Sequence, residues 1–126
     1  MKYLFCIILF IASPTIFADK ITLSTVPRVE TLFGINSMHN TIQIQVVSNG
    51  CTTNESFLVQ TYIDRTDEMI HLNFIRIRHD WCKAFLPMGV WLKFSKAELD
   101  ISNKDIVRID NPFGPNQRVK NENYIF

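Results

Sequence analysis

Between Thr41 and Asp110 apolar residues return mostly at every second position, the period of a strand with one face against a core. Thr41 to Val47 sets Ile42, Ile44 and Val46 opposite Gln43 and Gln45, and Ser48-Asn49-Gly50 then reads as a turn. Ser56 to Ile63 resumes the alternation, with Phe57, Val59 and Ile63 against Gln60 and Tyr62, and Asp64-Arg65-Thr66-Asp67-Glu68 follows as a charged hairpin loop. Met69 to Arg78 opens with Ile70, Leu72 and Phe74 on one face. Ile75 and Ile77 then take the other phase while Arg76 and Arg78 take the first, and this slip predicts a bulge near Phe74-Ile75.

Met88 to Phe94 puts Met88, Val90, Leu92 and Phe94 on one face and Trp91 and Lys93 on the other. Ser95 to Leu99 predicts a single helical turn, because Ser95 can cap it and Glu98 stands at capping-box spacing. Asp105 to Asp110 is a last strand, and Lys20 to Val26, stopped by Pro27, could add a first. Six to seven short strands with hairpin-length joins predict an all-β, mostly antiparallel fold: a small β-sandwich or partly open barrel with one short helical turn.

The amino end follows another pattern. Lys2 precedes an unbroken apolar run from Tyr3 to Ala12, broken by Ser13-Pro14 and followed by Thr15-Ile16-Phe17-Ala18 before polar Asp19-Lys20. That layout predicts a secretory signal peptide over residues 1 to 18, since the run is about half a membrane span. Residues 19 to 115 then form one β-rich domain. Two prolines and a glycine in Asn111-Pro112-Phe113-Gly114-Pro115-Asn116 end regular structure, leaving 116 to 126 as a loosely held tail. Periplasmic or secreted localisation is the expectation, with no membrane span once the leader is removed.

Export changes the charge and cysteine arithmetic. The chain has 13 Lys plus Arg against 12 Asp plus Glu, and the leader takes Lys2 with it, so the remainder is formally neutral. Global basicity to attract a phosphate backbone is therefore missing, and nucleic acid is not an expected partner. Cys6 also leaves with the leader. The remaining even pair, Cys51 and Cys82, predicts a disulfide. A metal pair or a thiol nucleophile, suggested by His79 three residues before Cys82, has weaker support because CxxC spacing is absent.

The sequence contains no GxSxG, no glycine-rich phosphate loop and no HExxH, so no catalytic residue, metal ligand or cofactor is assigned. Asp64, Asp67 and Glu68 lack EF-hand spacing and have Arg65 among them. One local feature is a basic and aromatic cluster, Arg76, Arg78, Lys83, Lys93 and Lys96 beside Trp81 and Trp91, with Asp80 the single opposing charge within it. If the strand at Arg76 paired with the strand at Lys93, then Arg76, Arg78, Lys83, Trp91, Lys93 and Lys96 would make a candidate binding face. The plainer reading is a solvated sheet face, with Trp81 packed over the disulfide and Trp91 half-buried.

Three function classes follow. The favoured one is a non-enzymatic binding protein that acts on a protein or glycan partner through a sheet face or loops. A secreted enzyme inhibitor presenting the 111 to 117 loop is the alternative. A small hydrolase using His79 and Asp80 with Arg76 is less favoured, because neighbours on a strand face opposite ways.

Overall fold

The computed structural model describes residues 27 to 114 and residue 126. Its strands are β1 (Arg28–Val29), β2 (Gly34–Ser37), β3 (Thr41–Val46), β4 (Phe57–Ile63), β5 (Ile70–Arg76), β6 (Val90–Ser95) and β7 (Val107–Ile109). The predicted leader, the extra strand at 20 to 26, and residues 115 to 125 lie outside the described residues. β1 and β2 were not legible as alternating segments, because they are two and four residues long.

The strands divide between two sheets that do not close into a barrel. In one, β3 lies between β2 and β6, antiparallel to both. In the other, β5 is central. β4 pairs antiparallel along its full length, and the opposite edge is shared by antiparallel β1 and parallel β7. Ile42, Ile44, Val46, Leu92 and Phe94 from the first sheet and Phe57, Leu72, Phe74, Val107 and Ile109 from the second form one core with Leu32 and Ile101. The Phe74 and Phe94 rings meet across it, 5.2 Å apart and tilted by 55°. Full burial of a side chain of this kind stabilises a fold by roughly 1.5 to 3 kcal/mol, so the alternating face holds the domain together.

Four expectations need correction. β4 and β5 keep one register over every pair from Phe57↔Arg76 to Ile63↔Ile70, so the predicted bulge does not form. The slip in hydrophobic phase has another cause. Arg76 occupies a core-side position, where its Nε donates to the buried Glu30 carboxylate and its guanidinium lies 4.8 Å from the centre of the Phe57 ring. Ile63, expected on the inner face, ends the edge strand in solvent at 67% exposure, and Met88, also expected inside, is exposed.

The fourth correction concerns the cap of the turn at 95 to 99: Ser95 closes β6, while the bond of a single helical turn is present, the Leu99 N–H donating to the Ser95 carbonyl and also to that of Lys96 at 3.2 Å. Asp100 at φ 59° reverses the chain there, and Ile101 returns to the core. The single 3-10 turn among the described residues is Asn54–Ser56, where the Thr53 N–H donates to Ser56 Oγ at 3.1 Å. Phe126 is the one described residue of the predicted tail. It exchanges two backbone hydrogen bonds with Val107, at 2.9 and 3.0 Å, and packs on the core.

Candidate functional site

The connection from β5 to β6, residues 77 to 89, is long and has no regular structure of its own, a form that usually signals function or mobility. Its base is tightly held. The buried Asp80 carboxylate accepts hydrogen bonds from Ser48 Oγ at 2.9 Å, Thr52 Oγ1 at 2.7 Å, and the N–H groups of Asn49 at 2.7 Å, Cys51 at 3.2 Å and Cys82 at 3.1 Å. Burial pushes its pKa up. The hydrogen bonds from Thr52, Asn49, Ser48 and Cys51 outweigh that and hold it well below the usual carboxylate range.

Two further ties reinforce this base. Cys51 and Cys82 form the predicted disulfide, with Cα atoms 5.5 Å apart. The Ala84 N–H donates to the Asn49 carbonyl at 2.8 Å. The Thr52 hydroxyl that donates to Asp80 also accepts from Arg76 at 3.1 Å, so the Glu30–Arg76 pair supports the same clamp from inside the domain. Beyond the tip, Gln45 Nε2 donates to the Met88 carbonyl at 2.7 Å, and Gly89 turns the chain into β6 at φ 66°. A Cβ at Gly89 would stand 2.0 Å from the Val46 carbonyl oxygen, so the chain passes there only without a side chain.

Between these ties the tip turns apolar groups outward. Phe85 is 88% exposed, Trp81 77% and Met88 73%, with Leu86 also exposed and Lys83 among them. Trp81 therefore does not cover the disulfide; its ring lies 4.3 Å from that of His79. Trp91 is half-exposed on β6 and its ring lies over Gly34, where a Cβ would come within 2.7 Å of it.

The predicted basic face is not assembled as a unit. β5 does not pair with β6, and Arg76 is buried and committed to Glu30, Thr52 and the Val47 carbonyl. Arg78 is exposed and paired with Glu55 at 3.1 Å. Lys83 belongs to the loop tip, while Trp91 and Lys93 share the outer face of β6 opposite Gln45 and Gln43. Lys96 lies in the turn after β6, its Nζ 6.0 Å from the centre of the Phe126 ring.

Of the three residues weighed for hydrolysis, Asp80 and Arg76 spend their hydrogen-bonding capacity on the clamp, and His79 is exposed beside Trp81. The first part of the 111 to 117 loop is also structural. Buried Asn111 accepts from the Phe74 N–H at 2.8 Å and donates to the Glu30 and Phe74 carbonyls at 2.9 Å.

A second polar constellation joins residues far apart in sequence. His71 on β5 is buried, with Nδ1 2.9 Å from Asp110 and Nε2 3.0 Å from Asp67. Tyr62, its register partner on β4, stacks on the imidazole at 4.9 Å and donates its hydroxyl to Asp110 at 2.6 Å. Arg108 Nε stands 3.4 Å from Asp110, close enough for charge attraction but not aligned as a hydrogen bond. Burial lowers the His71 pKa, yet hydrogen bonds and charge from Asp110 and Asp67 reverse the net direction, and it is raised.

By linkage, a raised histidine pKa adds stability that is fully present below the unfolded value of about 6.5 and is lost as pH rises through the folded value. An NMR titration of the His71 ring is expected to show a midpoint above 6.5. A midpoint at or below it would show that burial outweighs the carboxylates.

Asp64, Asp67 and His71 also offer ligand atoms within 4.8 Å of one another. His71 and Asp67 already satisfy each other there, and the Arg108 guanidinium, 4.0 Å from Asp67, opposes a further cation. Near Asp80 the two sulfurs are bonded to each other, which removes them as thiolate ligands.

No protein-family model, curated protein or solved structure matches this chain. The site is therefore read from its own chemistry. The disulfide follows from the sequence, whereas the Asp80 clamp emerges only in the fold. A usable signal was present: Asp80 lies two residues before Cys82, and Ser48, Asn49 and Thr52 bracket Cys51, so closing the disulfide brings a lone carboxylate to a cluster of small donors. The His71 constellation left no such mark, because Asp110 stands 39 residues away.

Proposed function

We propose that this chain is a small exported binding protein, without chemistry of its own, which docks on an envelope or extracellular partner through the apolar tip of the 77 to 89 loop. The observation that carries the reading is the pairing of outward-facing Trp81, Phe85 and Met88 with a base tied down by a disulfide and a saturated carboxylate. Large apolar groups held in water on an ordered backbone cost the free protein solvation and spare the complex the entropy of ordering a loop. The disulfide is compatible with an oxidising, exported location, and the apolar leader points the same way.

The test is photo-crosslinking with a benzophenone amino acid at position 85, in an envelope fraction of the producing cell. Adducts are expected at 85 but not with the same probe at exposed position 98, and excess unlabelled protein should abolish them. A Trp81→Ser, Phe85→Ser, Met88→Ser triple variant should fail to compete. Equal labelling at 85 and 98, or full competition by the triple variant, would remove the loop as the docking surface.

A further inference from the structure

We infer that the occupant of this loop tip is an anionic lipid bilayer surface, an inference that rests on the loop being the docking surface. Trp81, Phe85, Leu86 and Met88 form an exposed tip, and Ala84-Phe85-Leu86-Pro87-Met88 contains no polar side chain that could pair with a protein's donors and acceptors. Trp and Phe are side chains suited to the headgroup boundary, and shallow insertion of an apolar surface needs neither a spanning helix nor a matching pocket. Among the described residues no helix is long and apolar enough to cross a membrane.

Charge selects the sign of the surface. No acidic residue occurs from Trp81 to Ala97, a stretch that contains Lys83, Lys93 and Lys96, with Lys83 and Lys93 exposed. The neighbouring carboxylate, Asp80, is buried and spends its charge on five internal donors. Lys83 is the one charged side chain within the tip, and a cation among apolar groups complements anionic headgroups.

The experiment uses the disulfide-bonded protein with vesicles of phosphatidylcholine alone and of phosphatidylcholine with phosphatidylglycerol in equal parts, read by co-sedimentation. Trp91→Phe leaves Trp81 as the single indole for emission. Expected results are a blue shift of Trp81 and at least about fivefold stronger partition onto the anionic vesicles at low salt, falling as salt rises. Phe85→Ser with Met88→Ser should weaken partition by about tenfold or more, and Lys83→Gln by about fivefold.

No partition above that of the double variant, or equal partition onto both vesicle types, overturns the inference. Protein adducts at position 85 together with absent vesicle binding would leave the loop as the docking surface and remove only the lipid; absence of both would remove the two readings together.

Discussion

Asp80→Ala is expected to be the most damaging single substitution in the β5–β6 loop, destabilising the domain by about 3 kcal/mol or more. The methyl group leaves Ser48, Thr52 and the N–H groups of Asn49, Cys51 and Cys82 without their shared acceptor in a site largely closed to water. Hydrogen bonds to an ionised group are stronger than neutral ones, and the cost of orphaned buried donors adds to their loss. For a domain of this size the melting temperature should fall by more than about 10 °C.

Ser48→Ala, which removes one donor and keeps the carboxylate, should cost only about 1 kcal/mol. The pH dependence carries a sign. Asp80 has a depressed folded pKa, so its contribution is present above the unfolded value of about 3.9 and is lost as pH falls through the lower folded value. Wild type should therefore lose more stability than Asp80→Asn on acidification below pH 4. Thermal unfolding of the three variants against pH checks both statements. An Asp80→Ala variant within about 1 kcal/mol of wild type would mean that water replaces the clamp.

Removing the disulfide by Cys51→Ser with Cys82→Ser should cost about 3.5 to 4 kcal/mol on the chain-entropy account of a bridge spanning 31 residues. That is a large part of the net stability of a domain this size. The bridge and the carboxylate also act on one piece of backbone, since Asp80 accepts from the N–H of both bridged cysteines. The two losses should consequently not add. Combining Asp80→Ala with the serine pair is expected to fall short of the sum by about 1 kcal/mol or more. Chemical denaturation of the single, paired and combined variants gives the coupling directly, and strict additivity would show that clamp and bridge hold separate regions. Thiol titration of the unreduced protein should find neither Cys51 nor Cys82 free.

Much of the sheet structure is local information. Trp91 and Lys93 between Val90, Leu92 and Phe94 can satisfy water and core at once only as a strand, and the same period in Ile42 to Val46 marks β3, although Gln43 and Gln45 are themselves buried in that central strand. The parity of the cysteines outside the predicted leader was enough to pair Cys51 with Cys82. Period and count need no partner to be read, so strand identity and the bridge belong to the sequence itself.

The site belongs to the tertiary structure. Arg76 reads as an outward charge until Glu30, 46 residues earlier, is brought beside it by β1–β5 pairing, and that pairing turned an apparent bulge into a regular strand. The run Phe85 to Met88 looks the same whether it fills a core or meets solvent. It faces outward because Asp80, the disulfide and Gly89 fix both ends of the loop while Leu32, Phe74 and Phe94 already occupy the interior. Burial is set by what remains to be filled after distant segments meet, and no local pattern contains that quantity.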